Sequence, residues 1–348
     1  MKLNVRSLAN NYEKYIEECV RSIRSAVVTR GTNKESLPGK VSKERSGRRG
    51  IVDLVPPSIK PIIRAVLTPV LWDRLWRERE KRWLRKEFLS NPIFSGTRYD
   101  KHANHNAINN ANKKIETVCL LLYDKRSKEI FRKELLSRRK MRDVMPRRYV
   151  ESDNKQYFDY DIIQLAEDEV FIDAGAYDGA TTEQFITITK GRYKKAYLFE
   201  PDPAEFDIMT ERMALYENGN LEFIKAGLSD IDGTARFSII PIGSSRIDAD
   251  GAEEISTVTL DSKVSEATFI KMDIEGAEIS ALTGAKNLIR KCNPKLAIAI
   301  YHNIDDLWEI PLLIHSINPG YRLYIRKYKG VLGYFLNEVV CYAVLNSN

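Results

Sequence analysis

The sequence predicts an α/β protein built on a mostly parallel β-sheet with helices on both faces. Between residues 169 and 302, apolar runs of strand length alternate with segments of helical periodicity. In addition, a glycine loop from Gly175 to Gly179 directly follows the first of these runs and precedes a helical segment. Such alternation is typical of parallel sheets, whose strands are buried on both sides.

The predicted elements follow one another in a simple order. The first strand contains Val170, Phe171 and Ile172, and a helix begins near Thr181. Further strands are predicted in residues 194–203, 220–230, 268–278 and 295–302, with helices at 203–216 and up to residue 290. Two short alternating segments within residues 232–262 indicate an inserted hairpin or edge strands. Residues 321–328 and 337–344, joined by Gly330 and Gly333, predict an antiparallel pair that closes one edge of the sheet.

The chain before this sheet divides into two regions by composition. We predict a basic N-terminal helix and flexible arm in residues 1–50 and a basic helical region in residues 51–150, with a loop at 91–112 and a helix at 113–143. Residues 151–348 then form the ligand-binding domain. No stretch has the length and apolarity of a membrane span, and the N-terminus has no signal-peptide core, so we expect no transmembrane helix.

Charge is distributed very unevenly along the chain. The net charge is +7, but residues 1–150 hold 36 Lys and Arg against 16 Asp and Glu, a balance of +20, and the remainder carries −13. Either the basic part docks on the acidic part, within the molecule or across a homo-oligomer, or it meets an anionic surface such as lipid headgroups, a glycan carrier or nucleic acid. Charge alone leaves both interpretations open.

The number and spacing of the cysteines indicate the cellular compartment in which the protein works. The four cysteines are far apart and none forms a C-x-x-C pair, so the sequence predicts neither a disulfide framework nor a zinc site. We therefore expect a cytoplasmic protein, with peripheral attachment to a membrane left open by the basic N-terminal part.

The ligand site is expected where the parallel strands end. Asp173 and Gly175 follow the first strand, and Glu200 follows the second, 27 residues later. A carboxylate at that position can accept both hydroxyls of a ribose. The loop lacks the second glycine of a dinucleotide fingerprint, and an aspartate before the first glycine suits a cationic, adenosine-bearing ligand, S-adenosylmethionine. Residues after the third strand, including Leu228 and Asp230, are placed at the edge of the adenine.

Candidate catalytic residues follow the fourth and fifth strands. Lys271 and Asp273 point to the same side of a strand, and a buried lysine there needs a carboxylate partner, for which Asp173 and Asp273 are the candidates. Asp273, Glu275 and Glu278 offer oxygens to a divalent cation, but acids at a helix start are also favoured by its dipole, so no metal is predicted. His302, at the end of its strand, is the candidate general base.

These segments, in order, resemble a known family. FIDAGAYDG, LFEPDP, KMDIEGAE with the following ALTGA, and IAIYH are similar to successive blocks of FkbM-family S-adenosylmethionine-dependent methyltransferases, over about residues 156–345. The resemblance implies a class I methyltransferase sheet of seven strands with an antiparallel last strand, and methylation of a hydroxyl. The final strand NEVVCYAV departs from the family's usual ending. On this basis the cofactor contacts are assigned to Asp173, Gly175, Ala176, Tyr177, Gly179, Glu200, Pro201, Leu228 and Asp230.

The function predicted is transfer of a methyl group to a hydroxyl, with a sugar of a glycan, polysaccharide or glycolipid as acceptor. His302 would take the hydroxyl proton, Asp273 would orient it, and Lys271 would fix the carboxylates. An RNA methyltransferase that clamps its substrate with the basic region is the alternative. A cofactor-binding scaffold without catalysis is a third interpretation.

Overall fold

The structure, a computed structural model, describes residues 101–141, 144–216, 220–240, 245–329 and 338–345. The predicted N-terminal helix and arm, and the first half of the basic helical region, lie outside the described residues. So does the turn that contains Gly330 and Gly333.

The described elements alternate between helices and strands over most of the chain. The α-helices are α1 (Lys101–Asn110), α2 (Asn112–Leu121), α3 (Lys125–Lys140), α4 (Ala180–Thr189), α5 (Pro203–Met213), α6 (Leu260–Lys263), α7 (Glu278–Thr283), α8 (Lys286–Cys292) and α9 (Asp306–Ile317). The strands are β1 (Val150–Glu151), β2 (Val170–Ala174), β3 (Lys195–Phe199), β4 (Leu221–Ile224), β5 (Gly227–Leu228), β6 (Gly233–Ser238), β7 (Arg246–Ile247), β8 (Glu253–Val258), β9 (Phe269–Met272), β10 (Lys295–Ala299), β11 (Arg322–Tyr328) and β12 (Val339–Val344).

The main sheet confirms the predicted α/β class. Its strand order is β1-β11-β12-β10-β9-β2-β3-β4, and every neighbouring pair is parallel except the two that β12 makes with β10 and β11. The predicted count of seven strands is corrected to eight in the described part of the chain. The extra strand, β1, pairs with β11 and takes the sheet edge predicted for the β11–β12 pair. Because β1 has only two residues, it leaves no apolar run in the sequence.

A second, four-stranded sheet has the order β5-β8-β6-β7. The antiparallel pair β6 and β8 contains the two segments predicted as an inserted hairpin or edge strands; both lie inside this second sheet, with β7 between them in the chain. The predicted third strand, residues 220–230, is divided between the two sheets, since β4 belongs to the first and β5 to the second.

Two helix predictions need correction. The segment predicted as a loop contains α1, and the helix predicted at 113–143 is interrupted. Leu122 is extended and bridges to Leu323, and the Asp124 side chain then caps α3 by accepting from Ser127 N at 2.6 Å. The helix predicted up to residue 290 is likewise divided into α7 and α8 around Gly284, where an added Cβ would lie 2.1 Å from the Ser229 carbonyl oxygen.

Helix α3 is anchored to the sheet by buried charges. The Glu134 carboxylate lies 2.9 Å from Arg138 Nε and 3.2 Å from Lys327 Nζ on β11, and all three side chains are buried. Arg138 also donates to the carbonyl oxygen of Tyr301, just beyond β10. Part of the basic charge before residue 151 is therefore neutralised by the protein itself, while the predicted boundaries of the three regions stay predictions.

The core lies on both faces of the central strands. Every residue of β2 and β9 is buried, and these two neighbours run parallel, with Asp173 opposite Lys271. The carboxyl ends of β2, β3, β9 and β10 thus meet at one edge of the sheet, where a ligand is expected in this class of fold. Within the described residues, no helix has the length and apolarity needed to cross a membrane.

Candidate active site

The glycine loop after β2 is held close to the neighbouring strands. The amide groups of Gly175 and Ala176 both donate to the carbonyl oxygen of Phe199 on β3, at 3.1 and 3.0 Å. Gly175 has φ +77°, and an added Cβ would lie 1.9 Å from the carbonyl oxygen of Asp273. Only glycine therefore fits at this position, for reasons of both backbone conformation and space. Gly179, with φ +82°, ends the loop as the N-cap of α4.

Asp173 and Lys271 form a buried ion pair below this loop. Lys271 Nζ lies 2.8 Å from Asp173 Oδ1, and it donates to the carbonyl oxygens of Ala174 at 3.2 Å and Gly175 at 2.6 Å. The second oxygen of Asp173 accepts from the Thr182 hydroxyl at 2.7 Å. Both carboxylate oxygens are thus engaged by protein groups, and the pair fixes the loop. Lys271 pairs with Asp173, one of its two candidate partners.

Glu200 stands beside the loop at the end of β3. Its Oε2 accepts from Tyr177 N and its Oε1 from Asp202 N, both at 2.9 Å. Burial raises the pKa of Glu200 to about 7, although these two backbone donors lower it. Each oxygen keeps a further lone pair for a ligand hydroxyl. Glu200 and the glycine loop are therefore brought together, as the sequence predicts.

The residues after β4 also lie near the carboxyl ends of the strands, although β5 belongs to the second sheet. An added Cβ on Gly227 would be 3.9 Å from Cβ of Pro201, so β5 begins beside the Glu200 segment. Leu228 is buried in the core. Asp230 accepts from the Ser280 hydroxyl at 2.7 Å, and its own amide donates to that oxygen at 3.1 Å. A contact of Leu228 or Asp230 with adenine stays a prediction.

A second cluster surrounds His302, at the ends of β9 and β10. His302 Nε2 lies 3.3 Å from Asp273 Oδ1 and 3.4 Å from Glu275 Oε1, and Nδ1 lies 2.9 Å from Glu278 Oε1. The imidazole and Glu278 are buried, while the side chains of Asp273 and Glu275 are 22% and 24% exposed. A single imidazole is thus enclosed by three carboxylates, two of which reach solvent.

These carboxylates change the acid–base properties of the cluster. Burial alone would lower the pKa of His302, but the charges of Glu278 and Glu275 and their contacts with the ring outweigh it and hold the pKa well above its ordinary value. Burial, together with nearby negative charge, also raises the pKa of Asp306 and of Glu338 to about 7. At neutral pH the imidazole therefore favours its protonated form, which is not the form that a general base requires.

Two buried tyrosines orient Asp273. The Tyr157 hydroxyl donates to Asp273 Oδ2 at 2.6 Å, and the Tyr301 hydroxyl lies 3.2 Å from both carboxylate oxygens. Burial and the charge of Asp273 raise the pKa of each tyrosine well above its ordinary value, so both remain donors. The two hydroxyl groups thus fix the orientation of the Asp273 carboxyl group.

Strained backbone is concentrated around both clusters. Among the described non-glycine residues with positive φ, Met141, Lys190 and Asn293 cap helix C-termini, where this conformation is common. The other four, Tyr157, Tyr177, Glu275 and Glu338, have φ between 50° and 65°. Each has a side chain or backbone group that contacts or electrostatically influences Glu200, His302 or Asp273. Strain of this kind is typical of functional sites.

The sequence did not predict three residues of the site. Thr182 binds Asp173, Tyr157 binds Asp273, and Glu338 accepts from Gln156 Nε2 at 2.5 Å next to the cluster. Tyr157 and Glu338 are far from Asp273 in sequence, so no spacing pattern connects them with it. The acid immediately before the apolar run of β12 was the one available signal for Glu338.

Comparison with known proteins shows which family these features are similar to. Residues 173–329 match the Methyltransferase FkbM domain. The match begins at Asp173 and ends after β11, and so includes the glycine loop, Glu200 and the His302 cluster.

Two individual proteins are similar to the chain. The hexuronic acid methyltransferase AglP of Haloferax volcanii is 30% identical over 146 residues, which are 38% of this chain and 59% of that protein. The crystal structure of Methyltransferase FkbM from Methylobacillus flagellatus superposes with a TM-score of 0.58 at 24% identity, over 69% of this chain and 60% of that one. The chain thus spans about three fifths of the length of each relative, and the second comparison establishes the fold. Residues 173–329, somewhat less than half of the chain, are therefore similar to methyltransferase domains of the FkbM family.

Proposed function

We propose that the protein methylates a hydroxyl group of a sugar, with S-adenosylmethionine as methyl donor. The observation that carries this proposal is the hydrogen bond from Tyr177 N to Glu200 Oε2, which joins the glycine loop to the carboxylate that we assign to the ribose, at the ends of neighbouring strands. The FkbM domain match and the relative that acts on a hexuronic acid support it.

The residues at this edge fit the donor. Gly175 packs its backbone against the Asp273 carbonyl, so the loop and the end of β9 lie side by side at this edge. Glu200 has acceptor capacity left for the ribose hydroxyls. When bound, S-adenosylmethionine supplies a methyl group on positively charged sulfur, and the C–S electron pair stays with sulfur as the acceptor oxygen takes the methyl. We assign Asp173 and Lys271 to holding the loop rather than to contact with the reacting atoms.

The proton of the acceptor hydroxyl must leave as the new C–O bond forms. The sequence predicts that His302 takes this proton. Since the surrounding carboxylates favour the protonated imidazole, we propose that the proton instead leaves to solvent along the partly exposed carboxylates of Asp273 and Glu275. Asp273 then orients the hydroxyl, and His302 holds the two carboxylates in place.

Partners other than the sugar are proposed from the uneven charge of the chain alone. We propose an anionic surface, a lipid membrane in the first place, as the partner of the basic residues 1–100. Inside the described part, Lys114 and Arg326 contact acidic residues of the same chain, so the basic charge there is partly used for folding. RNA as a methyl acceptor is tested by the experiment below.

The proposed function is tested on the purified full chain with isotope-labelled S-adenosylmethionine. Acceptors are oligosaccharides ending in a hexuronic acid, matched neutral oligosaccharides, and RNA, and products are identified by the mass of one added CH₂ group. We expect methylation of the uronic acid oligosaccharide, and none by Glu200→Ala, whose cofactor binding is measured by calorimetry. Methylation of RNA alone, or tight cofactor binding with no methylated sugar, would refute the proposal.

A further inference from the structure

We propose that Asp273, Glu275 and His302 bind a divalent transition-metal cation that holds the acceptor sugar. One ligand atom from each of the three residues lies within 4.8 Å of the others. His302 Nε2 is 3.3 Å from Asp273 Oδ1 and 3.4 Å from Glu275 Oε1. Ligands about 2.1 Å from one metal ion are roughly 3.0–3.4 Å apart at angles of about 90–110°. The two separations from Nε2 therefore match a shared ion, and the two carboxylates lie within 4.8 Å of each other.

The residues behind these ligands have the arrangement found at metal sites. A metal-bound histidine uses one ring nitrogen for the metal, and the other faces a carboxylate or carbonyl that fixes the ring. Here Nε2 faces the two partly exposed carboxylates, and Nδ1 lies 2.9 Å from the buried Glu278. Binding of the ion at Nε2 displaces the proton that this nitrogen holds in its absence. Glu278 is itself fixed, since its Oε1 accepts from Ile274 N at 2.9 Å. Asp273 is likewise oriented by its two tyrosine contacts.

The donor atoms indicate the class of ion. One imidazole nitrogen with two carboxylate oxygens suits first-row divalent ions such as Mn²⁺ or Zn²⁺ better than Mg²⁺, which prefers oxygen ligands alone. Three protein ligands leave positions for other oxygens, as at catalytic rather than structural metal sites. Because Asp273 and Glu275 are 22% and 24% exposed, those positions are open to solvent.

The balance of charge around the ring supports a bound cation. Asp273, Glu275 and Glu278 all contact His302, so three carboxylates meet at one ring. An acceptor that carries a carboxylate of its own, such as a hexuronic acid, would be repelled by this group. A divalent ion between them removes the repulsion, and it gives neighbouring sugar oxygens a common ligand. This role rests on the function proposed above, whereas binding of the ion does not.

The test measures metal binding directly, without methyl donor or acceptor. The full chain is stripped with chelator and titrated with Mn²⁺, followed by calorimetry and by electron paramagnetic resonance of free Mn²⁺, and repeated with Zn²⁺ by calorimetry. We expect one site per chain. Glu275→Gln should weaken binding by more than about 100-fold, and Glu278→Gln, behind the first ligands, by about 10- to 100-fold. Glu266→Gln, an exposed carboxylate paired with Lys194, is the matched control and should bind as the unaltered chain does.

Folding is checked separately, because His302 and Glu278 are buried. Glu275 is partly exposed, so its variant should keep the thermal transition and the affinity for S-adenosylmethionine of the unaltered chain. Absence of a Mn²⁺ and Zn²⁺ site, or equal affinity in Glu275→Gln, overturns the metal proposal even if sugars are methylated in chelator. Metal binding that depends on Glu275, with no methylated sugar, supports the metal site and counts against the proposed function.

Discussion

Lys271 on β9 and Asp173 on β2 form an ion pair of 2.8 Å between neighbouring strands, with side chains that are 3% and 0% exposed. The same ammonium group donates to two carbonyl oxygens of the glycine-loop backbone. One buried charge thus connects the strand that begins the cofactor site with the strand that carries Asp273. The pair explains how a loop with a left-handed glycine keeps a single conformation.

Removal of one partner should be costly. Lys271→Met leaves the Asp173 carboxylate buried without its cation, and we expect a loss of about 3–5 kcal/mol in the free energy of unfolding, measured by urea denaturation. The double variant with Asp173→Asn should lose less than the sum of the single variants, because no charge is then buried alone. Additive losses in the double variant would show that the two side chains stabilise the fold independently.

The glycine loop can be tested with a matched pair of substitutions. Gly175 and Gly191 have φ of +77° and +73°, but only Gly175 has a neighbour in the way of a Cβ. Each alanine costs about 1–2 kcal/mol for its backbone conformation. Gly175→Ala must also displace the Asp273 carbonyl, so it alone should abolish binding of S-adenosylmethionine in calorimetry. Equal cofactor affinity in the two variants would contradict the close packing of the loop.

Glu200 should make cofactor binding depend on pH. Burial raises the pKa of its carboxyl from 4.5 to about 7, so the group becomes ionised between about pH 6 and pH 8. An ionised carboxylate is the better acceptor for ribose hydroxyls, and affinity for S-adenosylmethionine should therefore increase over this range. Glu200→Gln should bind about tenfold more weakly at about pH 8 and lose this pH dependence. An unchanged pH profile in the variant would assign the titration to another group.

The same pKa has a consequence for stability, with the opposite sign. Because the folded-state pKa lies above the unfolded value of 4.5, the folded protein holds the proton more tightly. The contribution of Glu200 to stability is therefore greatest below about pH 4.5 and is lost as the pH rises to about 7. In the absence of cofactor, Glu200→Gln should remove this part of the pH dependence of unfolding.

The helix before the sheet should be essential for stability. Glu134→Ala removes the carboxylate that lies between Arg138 and Lys327, and we expect a loss of about 3–5 kcal/mol. The matched control is Glu129→Ala on the same helix. Glu129 lies 3.6 Å from Arg132, an exposed side chain, so this substitution should change the free energy of unfolding by less than about 1 kcal/mol. Equal effects of the two variants would show that α3 is not anchored through Glu134.

The sequence predicted the parts of the fold that depend on local patterns. Apolar runs placed β2, β3, β9 and β10, since buried parallel strands need continuous apolar residues, and Gly175 marked the loop because left-handed backbone favours glycine. The same reasoning brought Glu200 to the end of β3. Where pattern was weak, prediction was wrong: the two-residue β1 has no run to detect, and α1 is a helix of mostly polar residues that looked like a loop.

The sequence by itself thus determined which residues stand at the strand ends, because chain order and strand length fix that edge. It did not determine how their charges pair. Lys271 had two acidic candidates, and only the register of β9 against β2 selects Asp173. His302 looked like a free base in sequence, yet folding encloses it between Asp273, Glu275 and Glu278, because the turn after β9 and the start of α7 converge on the end of β10. Protonation and metal binding depend on distances of a few ångströms between segments far apart in the chain, and tertiary structure alone sets those distances.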